Sequence, residues 1–193
     1  MPTLRPFRQV DARDIVNVFA FSGTLPATRG TLVKIVRGFV ASDEPLQMLG
    51  SVGASYTNTV SQRYGAYAQV AATGAGDAAI GILTMDVRET DENGELLKFK
   101  PVKLAEMDSV LSGQAVPIAT KGMFHYSGAL LASQTPAAHT KLYAGVSGEL
   151  STGISGAIVG YCLGGKDTNG CVVVKLDVPG VSIINSTGLN GQA

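Results

Sequence analysis

Between residues 78 and 126 short apolar runs alternate with tight polar breaks, and the spacing is that of strands. Residues 80–87 form an apolar, β-leaning run. Asp91-Glu92-Asn93-Gly94 follows, and Asn-Gly predicts a hairpin because both turn positions tolerate φ > 0. Leu96, Leu97 and Phe99 then lead away toward Pro101. Further runs at 107–111, 116–119 and 123–126 are separated by Gly113 and Gly122. Strands, turns and glycines at this spacing predict an antiparallel all-β body, a β-barrel or β-sandwich with little or no helix.

The flanking sequence continues the pattern. Strands are predicted over residues 14–21, 30–40 and 64–70, with the break Ser42-Asp43-Glu44-Pro45 after the second. Residues 47–56 are glycine-broken and carry a short strand or a loop. A short hairpin is expected at 142–145 and 148–151. Residues 157–163 and 171–178 are β-branched and almost continuously apolar, which places them centrally in a sheet, not at its edge. One helical turn is predicted over 102–107. Residues 127–140, containing Ser133-Gln134-Thr135-Pro136, read as a connection and as the boundary if the body has two lobes. Residues 1–12 lack periodicity and form an extended N-terminal arm, either an unpacked tail or a segment that orders against a partner; residues 13–193 form the β domain. The tail 186–193 is small, polar and expected to fray.

Composition narrows the partners. A chain of 193 residues buries enough surface to need no staple. Charged residues make up 16%, against about 25% in ordinary soluble domains, and the 15 basic and 15 acidic residues cancel. Such a surface suits a subunit covered by copies or partners better than a free monomer. Zero net charge without a basic stripe argues against nucleic acid. No apolar run reaches the roughly 18 residues of a membrane helix, so no membrane partner is expected. The opening residues lack a signal peptide's apolar core, which predicts a cytoplasm-like compartment of synthesis.

Candidate chemistry is sparse. Gly74-Ala75-Gly76-Asp77-Ala78-Ala79 follows the dinucleotide spacing but runs into a β-like segment where that motif needs a helix, so a turn is expected. Ser147 and Ser155 sit in G-x-S-G, which lacks one residue of a nucleophile elbow. His125 falls in a strand and His139 in a connection, and no Ser/His/Asp triad is predicted from them. Asp86, Glu89, Asp91, Glu92 and Glu95 crowd the Asn-Gly turn and read as a solvated tip, with no calcium-loop spacing. Cys162 and Cys171 flank a hairpin loop and read as two small apolar residues on neighbouring strands; a cross-strand disulfide is the other reading. The sequon at Asn185 has no secretory context. No catalytic, cofactor or metal residue is therefore assigned.

Several phrases together resemble the small β proteins that decorate tailed-bacteriophage heads. They are DARDIVNVFAFSGTLPATRGTLVKIV, VSQRYGAYAQV, GILTMDVRETDENGELLKFKP, AEMDSVLSGQAVPIATKGMF, and LYAGVSGELSTG followed by VGYCLGG and CVVVKLDV. The resemblance spans most of residues 11–178 and rests on cadence, without a catalytic signature. It implies a capsid decoration, or cement, protein, made in the host bacterial cytoplasm and carried on the outer capsid surface of the virion. Its partners would be the major capsid protein and further copies of itself, a trimer favoured over a dimer, with no cofactor and no enzyme activity. If an N-terminal arm lies along the capsid, Leu4, Arg5, Phe7 and Arg8 would supply its apolar anchors and charges. Other classes stay open: a different phage structural subunit (head fibre, tail tube or baseplate), or a small β-sandwich carbohydrate-binding module or hydrolase. The carbohydrate module would need an exposed aromatic row, with Tyr64, Tyr67 and Tyr161 its candidates.

Overall fold

The computed structural model describes residues 3–7, 11, 14–38, 68–153 and 156–178. The segment 47–56, the tail 186–193 and most of the strand expected over 64–70 lie outside the described residues. The fold is all-β, and its helices among the described residues are α1 (Pro101–Glu106), α2 (Ala129–Ser133) and short 3-10 turns. Strands β2 (Ile15–Phe21), β3 (Leu32–Arg37), β4 (Gln69–Ala72), β5 (Gly81–Leu83) and β8 (Ala115–Ala119) close a barrel in the order β2-β4-β3-β5-β8. A six-stranded sheet runs β1 (Thr3–Pro6), β9 (Lys121–Ser127), β13 (Val172–Asp177), β12 (Ile158–Cys162), β10 (Lys141–Ala144), β11 (Leu150–Ser151). A two-stranded parallel pair, β6 (Asp86–Val87) and β7 (Ser109–Val110), carries the segment between them. Pairing in the barrel and large sheet is antiparallel apart from β2 with β4.

The two-residue period of a strand explains how barrel and sheet join. Leu32, Ile82 and Ala119 face one another across β3, β5 and β8 in register, and each is fully buried on the large sheet's core. Their chain neighbours Val33, Leu83 and Ile118 point the other way and fill the barrel with Phe19, Phe21, Val70 and Val116. These three strands form a shared wall, apolar on both faces. At Gly81 a Cβ would lie 2.5 Å from both the Ala119 carbonyl oxygen and the Ile118 side chain, so only glycine lets β5 approach β8 this closely.

Barrel strand β8 passes into sheet strand β9 through Thr120. Thr120 alone separates β8 from β9; its N–H and hydroxyl donate to the Asp14 carbonyl at 2.8 and 2.9 Å, and its carbonyl accepts the Val178 N–H at 2.8 Å. Residues 127–140 fold onto the sheet. Leu131 of α2 is buried in its core, and Gln134 accepts the Thr152 N–H at 2.7 Å and donates to Ser151 Oγ at 2.9 Å. Strands β12 and β13 are interior, as their continuous apolar character predicts, and β10 pairs with β11 as the expected hairpin.

The Asn-Gly hairpin is realised only as a stub. Gly94 takes φ +81°, Asn93 stays at negative φ, and the ladder is one bridge from Thr90 to Leu96. Both partners of a longer hairpin are engaged elsewhere: Ile82 and Leu83 pair with β3 and β8, and Leu97 turns inward to full burial. The chain then enters a 3-10 turn over Leu97–Phe99 and α1, with Pro101 at the first helical position, where its missing N–H costs no intrahelical bond.

Candidate functional site

The arm residues are placed as follows. Residues Thr3–Pro6 form the edge strand β1, paired along β9 from Thr3 opposite Ser127 to Pro6 opposite Phe124. Leu4 alternates inward and is 4% exposed in the sheet core. It is therefore a core residue and no anchor for a partner, a correction that follows from the pleat: its neighbours Thr3 and Arg5 point out, so it points in. Arg5 is exposed and has no ion-pair partner among the described residues. Phe7 is 49% exposed, with its ring edge-on to His125 at 5.1 Å between centroids. Arg8 lies outside the described residues.

Arg5 and His125 line an open groove of about 430 Å³ with Thr3, Ser127, Asp167, Asn169 and Cys171. Asp167 Oδ1 accepts the N–H groups of Asn169 and Cys171 at 2.8 Å each, which shapes the loop between β12 and β13. Cys162 stands opposite Val174, three residues from Cys171 along β13, and both cysteines are free thiols. Burial pushes the Cys162 thiol up to about 11, so it stays protonated and unreactive at neutral pH.

The remaining sequence candidates serve structure. Gly74 to Ala79 is a turn, not a strand-to-helix junction: Asp77 accepts the Gly74 N–H at 2.6 Å and pairs with Lys34 at 2.6 Å, and the Gly76 N–H donates to the Ala144 carbonyl at 2.9 Å. The Lys34 hydrogen bond, helped by the Gly74 N–H, lowers the Asp77 pKa. Ser147 sits at φ +55° in a 3-10 turn that docks on the barrel, where the Gly148 N–H donates to the Thr73 carbonyl at 2.8 Å. His139 takes φ +65°, and its N–H donates to the Cys162 carbonyl at 2.8 Å. Tyr161 is 40% exposed on β12, while Tyr64, Tyr67, Ser155 and Asn185 lie outside the described residues. Among the described residues no group of three or more His, Cys, Asp or Glu could hold a metal ion. None of their helices is long and apolar enough to cross a membrane.

The carboxylates of the turn divide. Glu89, Glu92 and Glu95 are exposed, but Asp91 is buried, with its side chain 1% accessible. Its carboxylate accepts the N–H groups of Asn93 and Glu95, each at 2.8 Å, and the Lys103 ammonium from α1. That ammonium, with the two N–H groups, holds the Asp91 pKa down to about 2 against the cost of desolvation; the same bond raises Lys103. Lys100 pairs with Glu95 alongside. Asp86 likewise accepts the Arg29 N–H at 2.8 Å and pairs with Arg88 at 2.9 Å.

This clasp supports an apolar surface that the sequence pattern did not single out. Leu96, Phe99 and Val102 are 45%, 73% and 71% exposed, while Leu97 between them is fully buried as the anchor. Helix α1 buries no residue. Lys98 Nζ lies 4.9 Å from the centroid of the Phe99 ring. The signal available in sequence was the run LLKFKPV, whose apolar residues exceed what one anchor requires. Compared with known proteins, the chain matches no protein-family model, no curated protein and no solved structure.

Proposed function

We propose that this chain is a decoration protein of a tailed-phage head: it binds the outer capsid surface and clamps neighbouring major-capsid subunits. The observation that carries the proposal is a two-core body, welded through one shared wall, that still holds Phe99 and Val102 largely in water. A clamp needs both features, a shape that does not yield and apolar surface for a partner. The resemblance of residues 11–178 to phage head-decorating proteins points the same way. Low charge density fits a subunit covered by neighbours, and repeated contacts on one lattice would let modest single-site affinity suffice.

Under this proposal the partners are the major capsid protein and copies of this chain, a trimer at threefold positions favoured over a dimer. Synthesis is in the host cytoplasm, the final place is the outer face of the virion, and the role is mechanical, without cofactor or reaction. Arg5 on the β1 edge and Phe7 just after it remain contact candidates because both are exposed. Deleting the whole arm would also remove Leu4 from the core, so Arg5→Glu and Phe7→Ser are the informative changes.

The test is a quantitative mass-spectrometric count of this chain in purified particles from its source. Hundreds of copies in fixed ratio to the major capsid protein are expected. A handful per particle would assign the chain to tail or fibre, and none would overturn the viral reading.

A further inference from the structure

We infer that copies of this chain associate head to tail, the acidic clasp around Phe99 of one copy seated on the outer face of the six-stranded sheet of the next. Such self-association deepens the proposed function, which sets this chain beside copies of itself, but its test needs no capsid, so either can fail alone.

The sheet has one face turned away from the barrel. Its inner side packs on the shared wall through Leu32, Ile82 and Ala119. Strand alternation sends Phe124, Tyr126, Val172, Val174 and Leu176 into that core, so Met123, His125, Val173 and Lys175 point outward. Met123, Lys175, Tyr161 and Lys141 stand opposite one another in register across β9, β13, β12 and β10. Tyr161 is 40% exposed, and both lysines are exposed. The row gives this face apolar and aromatic surface with cations set into it.

The charge of the face is positive. Arg5, Lys141 and Lys175 are in no ion pair among the described residues, and Lys121 pairs with Asp177 at 3.5 Å. In the loop after β12, Lys166 and Asp167 cancel. The excess is local, because the whole chain is neutral.

The clasp is the complement. Leu96, Phe99 and Val102 are its exposed apolar centre. Glu89, Glu92 and Glu106 are exposed and in no ion pair among the described residues. Against these three stands Lys98, since Lys100 and Lys103 are neutralised by Glu95 and Asp91. Glu106 follows Val102 by four residues, which puts both on one side of α1. The Glu89 carbonyl accepts the Leu97 N–H at 3.0 Å and so holds Glu89 beside the same segment. An apolar centre with an anionic rim thus meets an apolar row with cations around it. The two ion pairs already order the clasp, so docking costs it little conformational freedom.

Pairing of like surfaces fits worse. Clasp on clasp would oppose two acidic rims, and sheet on sheet would oppose two cationic faces. A contact between unlike surfaces is heterologous and closes as a ring, of which three members is the closure that the proposed function favours.

The experiment is light scattering on the purified full chain over a concentration series. The unsubstituted chain is expected to self-associate, and about tenfold or more less tightly when salt is raised from about 0.05 to about 0.5 M. Phe99→Ser, which spoils the clasp, and Lys175→Glu, which spoils the sheet face, should each weaken association by about tenfold or more with the melting temperature unchanged. Lys141→Glu, on the strand next to the sheet margin, serves in place of Lys175→Glu if that variant unfolds. Mixing the two variants is the decisive step. The intact sheet face of the Phe99→Ser chain can receive the intact clasp of the Lys175→Glu chain, so the mixture should form 1:1 pairs that grow no further. A mixture no more associated than either variant alone would overturn the head-to-tail contact. So would an unsubstituted chain that stays monomeric up to about 1 mM, or an association indifferent to salt, and each of these would leave capsid binding standing.

Discussion

The Tyr126 hydroxyl accepts the Leu150 backbone N–H at 3.0 Å inside the core of the large sheet. Tyr126 on β9 is fully buried, and β11, which holds Leu150, is the strand at the far edge. The bond therefore ties the interior of the sheet to its margin. Gly128 leaves the space that the ring occupies, since a Cβ there would meet the Tyr126 oxygen at 2.6 Å. Removing the hydroxyl would strand the Leu150 N–H away from water.

Tyr126→Phe is accordingly expected to keep the fold and lose about 1–3 kcal/mol, the cost of an unsatisfied buried donor, measured by urea denaturation at neutral pH. The alkaline limb gives a second readout. Desolvation raises the folded pKa of Tyr126 above its ordinary 10.0, so above that pH the unfolded chain releases the proton that the folded chain retains. The phenol's stabilising effect is complete below pH 10 and is lost as pH rises. The phenylalanine variant should show a shallower alkaline decline, and an identical decline would rule out this linkage.

Asp91 governs the opposite end of the pH scale. Its folded pKa is held at about 2 against 3.8, chiefly by Lys103, so folding favours the ionised form. The stabilisation is complete above pH 3.8 and is lost as pH falls toward 2. Asp91→Asn keeps an oxygen for the Asn93 and Glu95 N–H groups but ends the attraction to Lys103. We expect this variant to be less stable at pH 7 and to lose less of its remaining stability between pH 4 and 2. Circular dichroism across an acid titration of both chains tests this, and parallel curves would refute it.

Much of the architecture was legible because period-2 patterning and β-branched runs are local properties. The interior placement of β12 and β13 follows from Val172, Val173 and Val174 without knowledge of any partner strand. What was hidden depends on distant pairing. Nothing local distinguishes Leu32, which faces the sheet, from Val33, which fills the barrel. Leu4 read as an arm residue because four flanking residues without periodicity do not reveal that β9 has a free edge beside them. The acidic turn read as uniformly solvated because Lys103 lies 12 positions from Asp91 and meets it only once α1 folds back. Leu96, Phe99 and Val102 were visible as apolar residues, but their exposure was not, because burial of Leu97 alone completes the local core.

Two glycines at positive φ separate backbone strain from packing. Gly94, at φ +81°, has open space where a Cβ would stand. Gly148, at φ +74°, would bring a Cβ to 2.5 Å from the Thr31 methyl and 2.9 Å from the Leu32 carbonyl oxygen, where the sheet's loop rests on the barrel. Gly94→Ala therefore carries only the left-handed backbone penalty, about 1–2 kcal/mol. Gly148→Ala carries that penalty plus an overpacking cost of about 1–3 kcal/mol, because the obstructing oxygen belongs to a barrel strand that cannot move alone. Paired chemical denaturation of the two variants should place Gly148→Ala well below Gly94→Ala in stability. Equal losses would mean that the loop over Val146–Gly148 can lift from the barrel without disturbing the core.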